Sequence, residues 1–382
     1  MRYLGIDLHK KYLVIAEVED GSKQVRRSRY PLTPDGVQML KHSIDTNCRI
    51  VVEATGNAWW LHDQLYPLVD QVILANPGQL KAIAAARIKT DKVDAEIMAR
   101  LLAADFIPAV WVPDPLTRRQ RSLIGHRLRL RRGTTQCKNR IHAALMRNNV
   151  HIPHLFSRQG LAQLAQTELP PEDRVAVDSD LRLLRFTEGE IQALGGELNA
   201  EAVEGPRAEQ IQLAMSVPGF DVLTASLLVA RIGDIRRFPE PDKLASYFGL
   251  VPRLHQSGQT NRHGHITKAG SPEARHVLVE AAWAVVRHYK DTPLHAFYER
   301  VAARRGPRVA IVALARKLVT ILWQVLTRGE ACRYARARTL RRKLRRAAKA
   351  AVRYPVRPTM EIAQEIAALF NRGDDEGWVA AG

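Results

Sequence analysis

The chain opens with short apolar runs that read as strands. "RYLGIDLH" and "YLVIAEVE" are rich in β-favouring residues, and the second ends at Asp20-Gly21, a hairpin signal leading into "KQVRRSRY". The spacing then predicts a helix from Pro34 to about Asp45, with Thr33 as N-cap and Pro34 at the first helical position. "RIVVEAT" and "QVILAN" read as strands, "AWWLHDQLYPLV" and "PGQLKAIAAA" as helices. Beyond Thr90, "DKVDAEIMARLLAADF" has helical periodicity, with Val93, Ile97 and Leu101 expected on one apolar face and Thr90 or Asp91 as cap. This order of elements predicts an α/β unit, a mixed sheet covered by helices.

From about Leu116 to Gln212 the pattern changes to long, charged, helix-favouring stretches, "LTRRQRSLIGHRLRLRRGTTQCKNRIHAALMRNN" and "DLRLLRFTEGEIQALGGELNAEAVE". They predict extended helices paired as a helical hairpin or coiled coil, serving either as a dimerisation arm or as a spacer. A third region begins at "MSVPGFDVLTASLLVARIGD", whose small residues fit a helix-hairpin-helix, Pro218 and Gly219 turning and Thr224 and Ala225 opening the next helix. An ordinary Pro-Gly turn fits as well. Turn amides beside a helix N-terminus suit a phosphate oxygen, which makes Gly219 a candidate nucleic-acid contact. "ASYFGLVPRLHQSGQTNRHGHITKAGSPEARHVLVEAA" then passes from apolar residues into a polar, glycine-punctuated loop and back into helix. Near the C-terminus, "RYARARTLRRKLRRAAKAAVR" reads as a basic helix or tail.

Charge narrows the class of partner. With 58 Lys and Arg against 39 Asp and Glu, the net charge is +19 over 382 residues, 46% of them hydrophobic. That composition describes a folded basic protein and excludes wholesale disorder, with nucleic acid or an anionic membrane surface as the obvious polyanion. No uninterrupted run of about 18 apolar residues is present to span a membrane, and "MRYLGIDLHKKYLVIAEVED" carries charges where a signal peptide needs an apolar stretch. A soluble cytoplasmic protein is expected. Cys48, Cys137 and Cys332 are far apart and in no CxxC spacing, so buried thiols are expected rather than a disulfide framework or a zinc site.

Against this basic background the carboxylates matter. Asp7 lies in the first strand between apolar neighbours, where burial is costly unless the group is paired or metal-bound. Glu53 ends the strand "RIVVE" before a turn, and Asp91 and Asp94 share one helix face at i and i+3. Singly, a turn residue, a helix cap and a surface residue explain these as well. Together, the four can converge on divalent ions, Mg²⁺ or Mn²⁺ by their hard oxygen donors, in the arrangement that promotes phosphoryl transfer. Lys10, Lys11, Arg87, Lys89 and Lys92 would then steer a phosphate backbone toward the acids. In the polar loop, Ser257 beside Gly258 is sterically open, either as a nucleophile or as a plain turn serine. Arg253, Arg262, His263, His265 and Lys268 are available to stabilise charge on phosphoryl oxygens.

"GIDLHK", "VVEATG" and "RIKTDKVDAEIMARLL" resemble the first domain of the DEDD transposases of the IS110 family of insertion sequences. "SVPGFDVLTASLLVARIGDIRRF" and the polar-loop segment after it resemble that family's second domain, over about residues 1–320 in all. The resemblance implies an α/β RuvC-like (RNase H-type) domain at 1–112, a helical or coiled-coil assembly region at 113–210, and a mostly α-helical transposase domain at 211–327. A basic extension, 328–382, has no chemistry assigned to it. It further implies Mg²⁺ (or Mn²⁺) held by Asp7, Glu53, Asp91 and Asp94, Ser257 as a nucleophile forming a covalent phosphoserine link to DNA, and composite sites shared between subunits of a dimer or tetramer. A structured non-coding guide RNA, a bridge RNA, would pair with donor and target DNA. Three functions remain open on the residues alone: the RNA-guided recombinase, a metal-only structure-selective nuclease in which water attacks, and a non-enzymatic nucleic-acid binder.

Overall fold

A computed structural model describes residues 1–83, 91–257 and 260–353, without the side chains at 92, 254–257, 260–263 and 353. The chain divides into two compact units, Met1–Pro113 and Asp114–Gly382.

The first unit runs β1 (Arg2–Leu8), β2 (Tyr12–Glu19), β3 (Val25–Pro31), α1 (Pro34–Ser43), β4 (Cys48–Glu53), α2 (Ala58–Leu65), β5 (Gln71–Ala75), α3 (Pro77–Ile83), α4 (Asp91–Ala103) and β6 (Ala109–Val110). The strands form one mixed sheet in the order β3-β2-β1-β4-β5-β6. β1 pairs antiparallel with β2 and parallel with β4, and β5 runs parallel to β4. Central β1, β2 and β4 read as near-continuous apolar runs because both faces are covered. The β3 edge carries exposed Arg26, Arg27 and Arg29, which blunt it against pairing with another chain. Thr33 caps α1 through its hydroxyl, which accepts from the Gly36 amide.

Two faces of the sheet pack differently. On one, Leu4, Ile6, Ile50, Val52 and Leu74 meet Leu40 of α1 and Leu61 and Leu65 of α2. On the other, α4 crosses the sheet. Its buried residues are Ala95, Met98, Ala99 and Leu102, on a face nearly opposite the one that periodicity predicts, and Val93, Ile97 and Leu101 are only half-buried. Gly5 explains the rotation: a Cβ placed there would stand 2.0 Å from the Ala95 carbonyl oxygen and 2.6 Å from the Ala99 amide nitrogen. Helix backbone therefore rests directly on strand backbone, and only an alanine-lined face can come that close.

The second unit is helical except for one hairpin. α5 (Pro115–Arg147) and α7 (Pro171–Glu204) pair along their length, with the short α6 (Arg158–Gln166) between them. At 33 residues, α5 is about 50 Å long. Arg119 pairs with Glu201 and Glu197, Lys138 with Glu188, Arg140 with Asp180 and Arg147 with Asp173, so numbering rises on one helix as it falls on the other. Of the two pairings expected, an antiparallel helical hairpin forms. A small core of Ile141, Leu145, Ile152, Leu155, Leu164 and Val177 closes its far end.

The larger core is built by α8 (Ala208–Met215), α9 (Val222–Ile232), α10 (Pro241–Tyr247), α11 (Pro272–His288), α12 (Pro293–Arg305) and α13 (Pro307–Arg328) around Phe220, Leu228, Phe248, Leu278 and Leu318. Between α10 and α11 the expected polar loop is instead an antiparallel hairpin, β7 (Pro252–Ser257) with β8 (Thr260–Ile266). α14 (Ala337–Arg353), the basic helix, packs on α7. Among the described residues, α13 alone is long and apolar enough by length and composition to cross a membrane, which counting uninterrupted apolar runs did not anticipate. Arg316 and Lys317 interrupt its run, and Ala310, Ile311, Leu314, Leu318, Leu322 and Val325 are buried in the core of the unit. The three cysteines are free and buried, as expected.

Candidate active site

β1 and β4 are parallel neighbours with Ile6 opposite Val52, so Asp7 and Glu53 are the next residues at the same ends of adjacent strands. Side chains alternate along a strand. Since Ile6 and Val52 enter the α1–α2 core, Asp7 and Glu53 lie on the α4 side. α4 begins there with Asp91 and Asp94 in its first turn. The backbone contact at Gly5 fixes the helix at this level, so strand ends and helix start meet at one place.

Ligand atoms of Asp7, His9 and Asp91 lie within 4.8 Å of one another. His9 Nε2 is 3.2 Å from Asp7 Oδ2 and 3.1 Å from Asp91 Oδ2. Carboxylates only accept, so this contact uses a proton on Nε2. The Tyr12 hydroxyl donates to Asp91 Oδ2 at 3.2 Å, its ring lies 4.6 Å from that of His9, and the Arg29 guanidinium sits 3.8 Å above it. Burial pushes the Asp7 carboxyl above the usual carboxylate range; His9 opposes the shift, and the negative charges of Asp91 and Asp94 add to it. A buried carboxyl beside two like charges gains from a cation among them, and oxygen donors with one imidazole suit a hard or borderline divalent ion.

The sequence-derived residues are thus partly gathered. Asp7 and Asp91 are in contact through His9, Asp94 is close enough to act on Asp7 electrostatically, and Glu53 is placed beside Asp7 by register. His9, Tyr12 and Arg29 were missed. The signal for His9 was present, because it follows Asp7 by two residues and so shares its face of the strand. Lys10 is exposed in the turn after His9. Lys89 lies outside the described residues, and Lys92 is in α4 with its side chain outside them.

The second unit holds the other candidates. Ser257 is the last residue of β7, opposite Thr260, and Arg262 is in β8; both side chains lie outside the described set. Arg253 and Lys268 are exposed at the base of the same hairpin, and the Arg253 guanidinium donates to the Thr267 carbonyl at 3.4 Å. Gly219 is a packing glycine: at φ +85° it lies so near α11 that a Cβ would be 2.4 Å from the Ala281 oxygen. The helix after this turn opens at Val222, not at Thr224, and is capped by Asp221, whose carboxylate accepts from the Thr224 amide at 2.8 Å. Lys343 of α14 donates to the carbonyls of Met215 (2.9 Å) and Phe220 (2.5 Å), tying the basic helix to this turn.

Comparison with known proteins finds matches in both units. Residues 4–149 match a family model described as "Transposase", and residues 211–299 match one described as "Transposase IS116/IS110/IS902 family". A probable family 20 transposase of Pseudomonas aeruginosa is 30% identical over 75% of this chain and 85% of its own length. The transposase for insertion sequence element IS1111A of Coxiella burnetii is 28% identical over 87% of this chain and 92% of its own. A pilin gene-inverting protein of Moraxella bovis is 27% identical over 75% of this chain and 82% of its own. With these matches spanning both units in one order, the chain belongs to the IS110 family of transposases, enzymes that cut and rejoin DNA.

Proposed function

We propose that this transposase works through two half-sites: an RuvC-like first unit whose carboxylates hold Mg²⁺ or Mn²⁺, and the hairpin of the second unit, whose Ser257 becomes covalently joined to DNA. The observation that carries the proposal is the meeting of Asp7, His9 and Asp91 where β1 ends and α4 begins. Asp7, Glu53, Asp91 and Asp94 would hold the ion, with His9 orienting two of them. When bound, such an ion offsets negative charge on phosphoryl oxygens and lowers the pKa of a coordinated hydroxyl.

The serine step balances without an external reactant. The Ser257 hydroxyl oxygen attacks phosphorus and the bond from phosphorus to one deoxyribose oxygen breaks; the hydroxyl proton is lost and the leaving oxygen gains one. Attack by a different deoxyribose hydroxyl reverses the exchange and frees the serine. One phosphodiester replaces another, so rejoining needs no nucleotide triphosphate. The relative named for inverting a pilin gene supports rejoining over hydrolysis.

Partners follow from charge and exposed apolar surface. Lys10, Arg253 and Lys268, with Lys89, Lys92 and Arg262, would contact the DNA backbone. α14 exposes Arg338, Arg341, Arg342, Arg345 and Arg346, which supports a further polyanion, here a structured guide RNA. Val175, Leu183 and Phe186 are exposed on α7 and support the helical hairpin as an assembly surface for a dimer or tetramer. A chain acting on chromosomal DNA would work in the bacterial cytoplasm.

The test is excision in cells that carry the element on a plasmid. Wild type should produce the rejoined junction, and Asp7→Asn and Ser257→Ala should each lower its yield by about 100-fold or more. Full junction formation by Ser257→Ala would overturn the serine mechanism.

A further inference from the structure

A cavity of about 1600 Å³ opens below the β7–β8 hairpin, between its base, α12 and α13. It is larger than the roughly 300–1000 Å³ typical of a small-molecule site. Arg253 and Lys268 approach from the hairpin, and Arg305, Arg308 and Lys317 from the α12–α13 corner. Among the described residues Asp242 alone lines the cavity with an acid, and it is paired with Arg316 at 3.0 Å. Arg305, Arg308 and Lys317 have no acidic partner among the described residues. The floor is apolar: Phe297, Val312 and Val309, the last 47% exposed. Lys317 Nζ is 5.7 Å from the Phe297 ring centroid.

A basic rim over an aromatic and aliphatic floor is the chemistry that holds an unpaired nucleic-acid strand, cations tracking phosphates while a base lies on the apolar surface. Duplex would satisfy the rim and leave the floor without a partner, since its bases are stacked inward. Lys268 adds a second observation. Its backbone has φ +55°, a left-handed conformation costly to a residue with a Cβ. The Lys268 amide donates to the Gly249 carbonyl, and the Thr267 amide to that of Val251, which fixes the lysine at the mouth of the groove. A strained position would favour glycine on stability alone; the lysine there places an exposed cation on the lining of the groove. Pro252 lines the cavity, and Ser257 lies five residues on, about 17 Å along β7.

We propose that this groove holds an unpaired segment of the DNA strand being processed, phosphates on the rim and a base against Phe297, leading along β7 toward Ser257. This rests on the hairpin being a reacting half-site. Binding of labelled single-stranded DNA to the full chain, by fluorescence polarisation without divalent metal, tests it independently of cleavage. Failure of the phosphoserine mechanism therefore leaves the result standing. Combined Arg308→Ala and Lys317→Ala should weaken binding about tenfold and flatten the log-affinity against log-salt slope by about 1.4, at about 0.7 per phosphate contact. Duplex should lose less. Lys268→Gly should weaken single-strand binding without lowering the melting temperature, and Phe297→Ala should cost about tenfold. Unchanged single-strand affinity and slope would overturn the proposal. Equal losses on duplex would make the surface a general backbone contact, and losses confined to single-stranded RNA would assign it to a guide; either also overturns it.

Discussion

Replacing Gly5 by alanine tests whether the close approach of α4 to the sheet builds the acidic site. The added Cβ would meet the Ala95 oxygen at 2.0 Å, the Ala99 nitrogen at 2.6 Å and the Met98 Cβ at 3.0 Å. Carbon–oxygen contacts of this kind normally settle near 3.3 Å, so relief requires α4 to retreat by about 1 Å. No rotamer change helps, because the nearest two atoms are backbone. Overpacking of this sort costs about 1–3 kcal/mol and more when the wall is rigid. Asp91 lies one turn before Ala95 and would be carried away from His9 and Asp7, a displacement of the size that costs about 100-fold in rate. Calorimetry should show a lower unfolding temperature, and excision in cells should fall by about that factor even at a temperature where the variant is folded. A Gly5→Ala protein with wild-type stability and excision would refute the packing argument.

Further outcomes follow from the buried charges. Asp7 has its folded-state pKa raised by burial and by Asp91 and Asp94, so ionising it costs the fold, a penalty that is absent below the unfolded pKa of 3.8 and grows as pH rises through the window above it. Asp7→Asn should therefore raise the metal-free melting temperature at neutral pH and abolish the further rise that Mn²⁺ gives wild type; equal responses in both would contradict this. Lys343→Met removes donors from two carbonyls and should cost about 2 kcal/mol in chemical denaturation. Burial depresses the Lys343 pKa below 10.5, so the charged form is disfavoured on folding and wild type should gain on the variant as pH rises toward 10.5; a constant difference across that range would contradict it.

Much of the first unit was legible because its strands are short apolar runs bounded by turn signals, and Asp7, Glu53, Asp91 and Asp94 stood out as carboxylates in a basic chain. The misplaced face of α4 has a simple cause: periodicity favours the bulkiest residues, Val93, Ile97 and Leu101, whereas contact with Gly5 selects the smallest, Ala95 and Ala99. The β7–β8 hairpin was invisible for a different reason. "RLHQS" and "TNRHGHI" are polar at nearly every position, so no alternation of apolar and polar residues announces a strand. The stretches that form α5 and α7 fit a hairpin or a coiled coil equally well, because what pairs them is a ladder of a basic helix against an acidic one rather than a heptad seam. His9 did not stand out as a site residue, because a lone histidine in a basic chain carries no charge contrast; its contacts with Asp7 and Asp91 mark it.

The most direct measurement is capture of the covalent intermediate. Purified protein, RNA transcribed from the sequence flanking its reading frame, Mg²⁺ and labelled element-end DNA are combined and resolved on a denaturing gel, with Ser257→Ala and Asp94→Ala alongside. A protein-linked DNA band in wild type, absent in both variants, is the expected result and would join the serine to the acidic cluster in one reaction. DNA cleavage with no protein-linked band, undiminished in Ser257→Ala, would contradict the serine mechanism and leave a metal-dependent hydrolase.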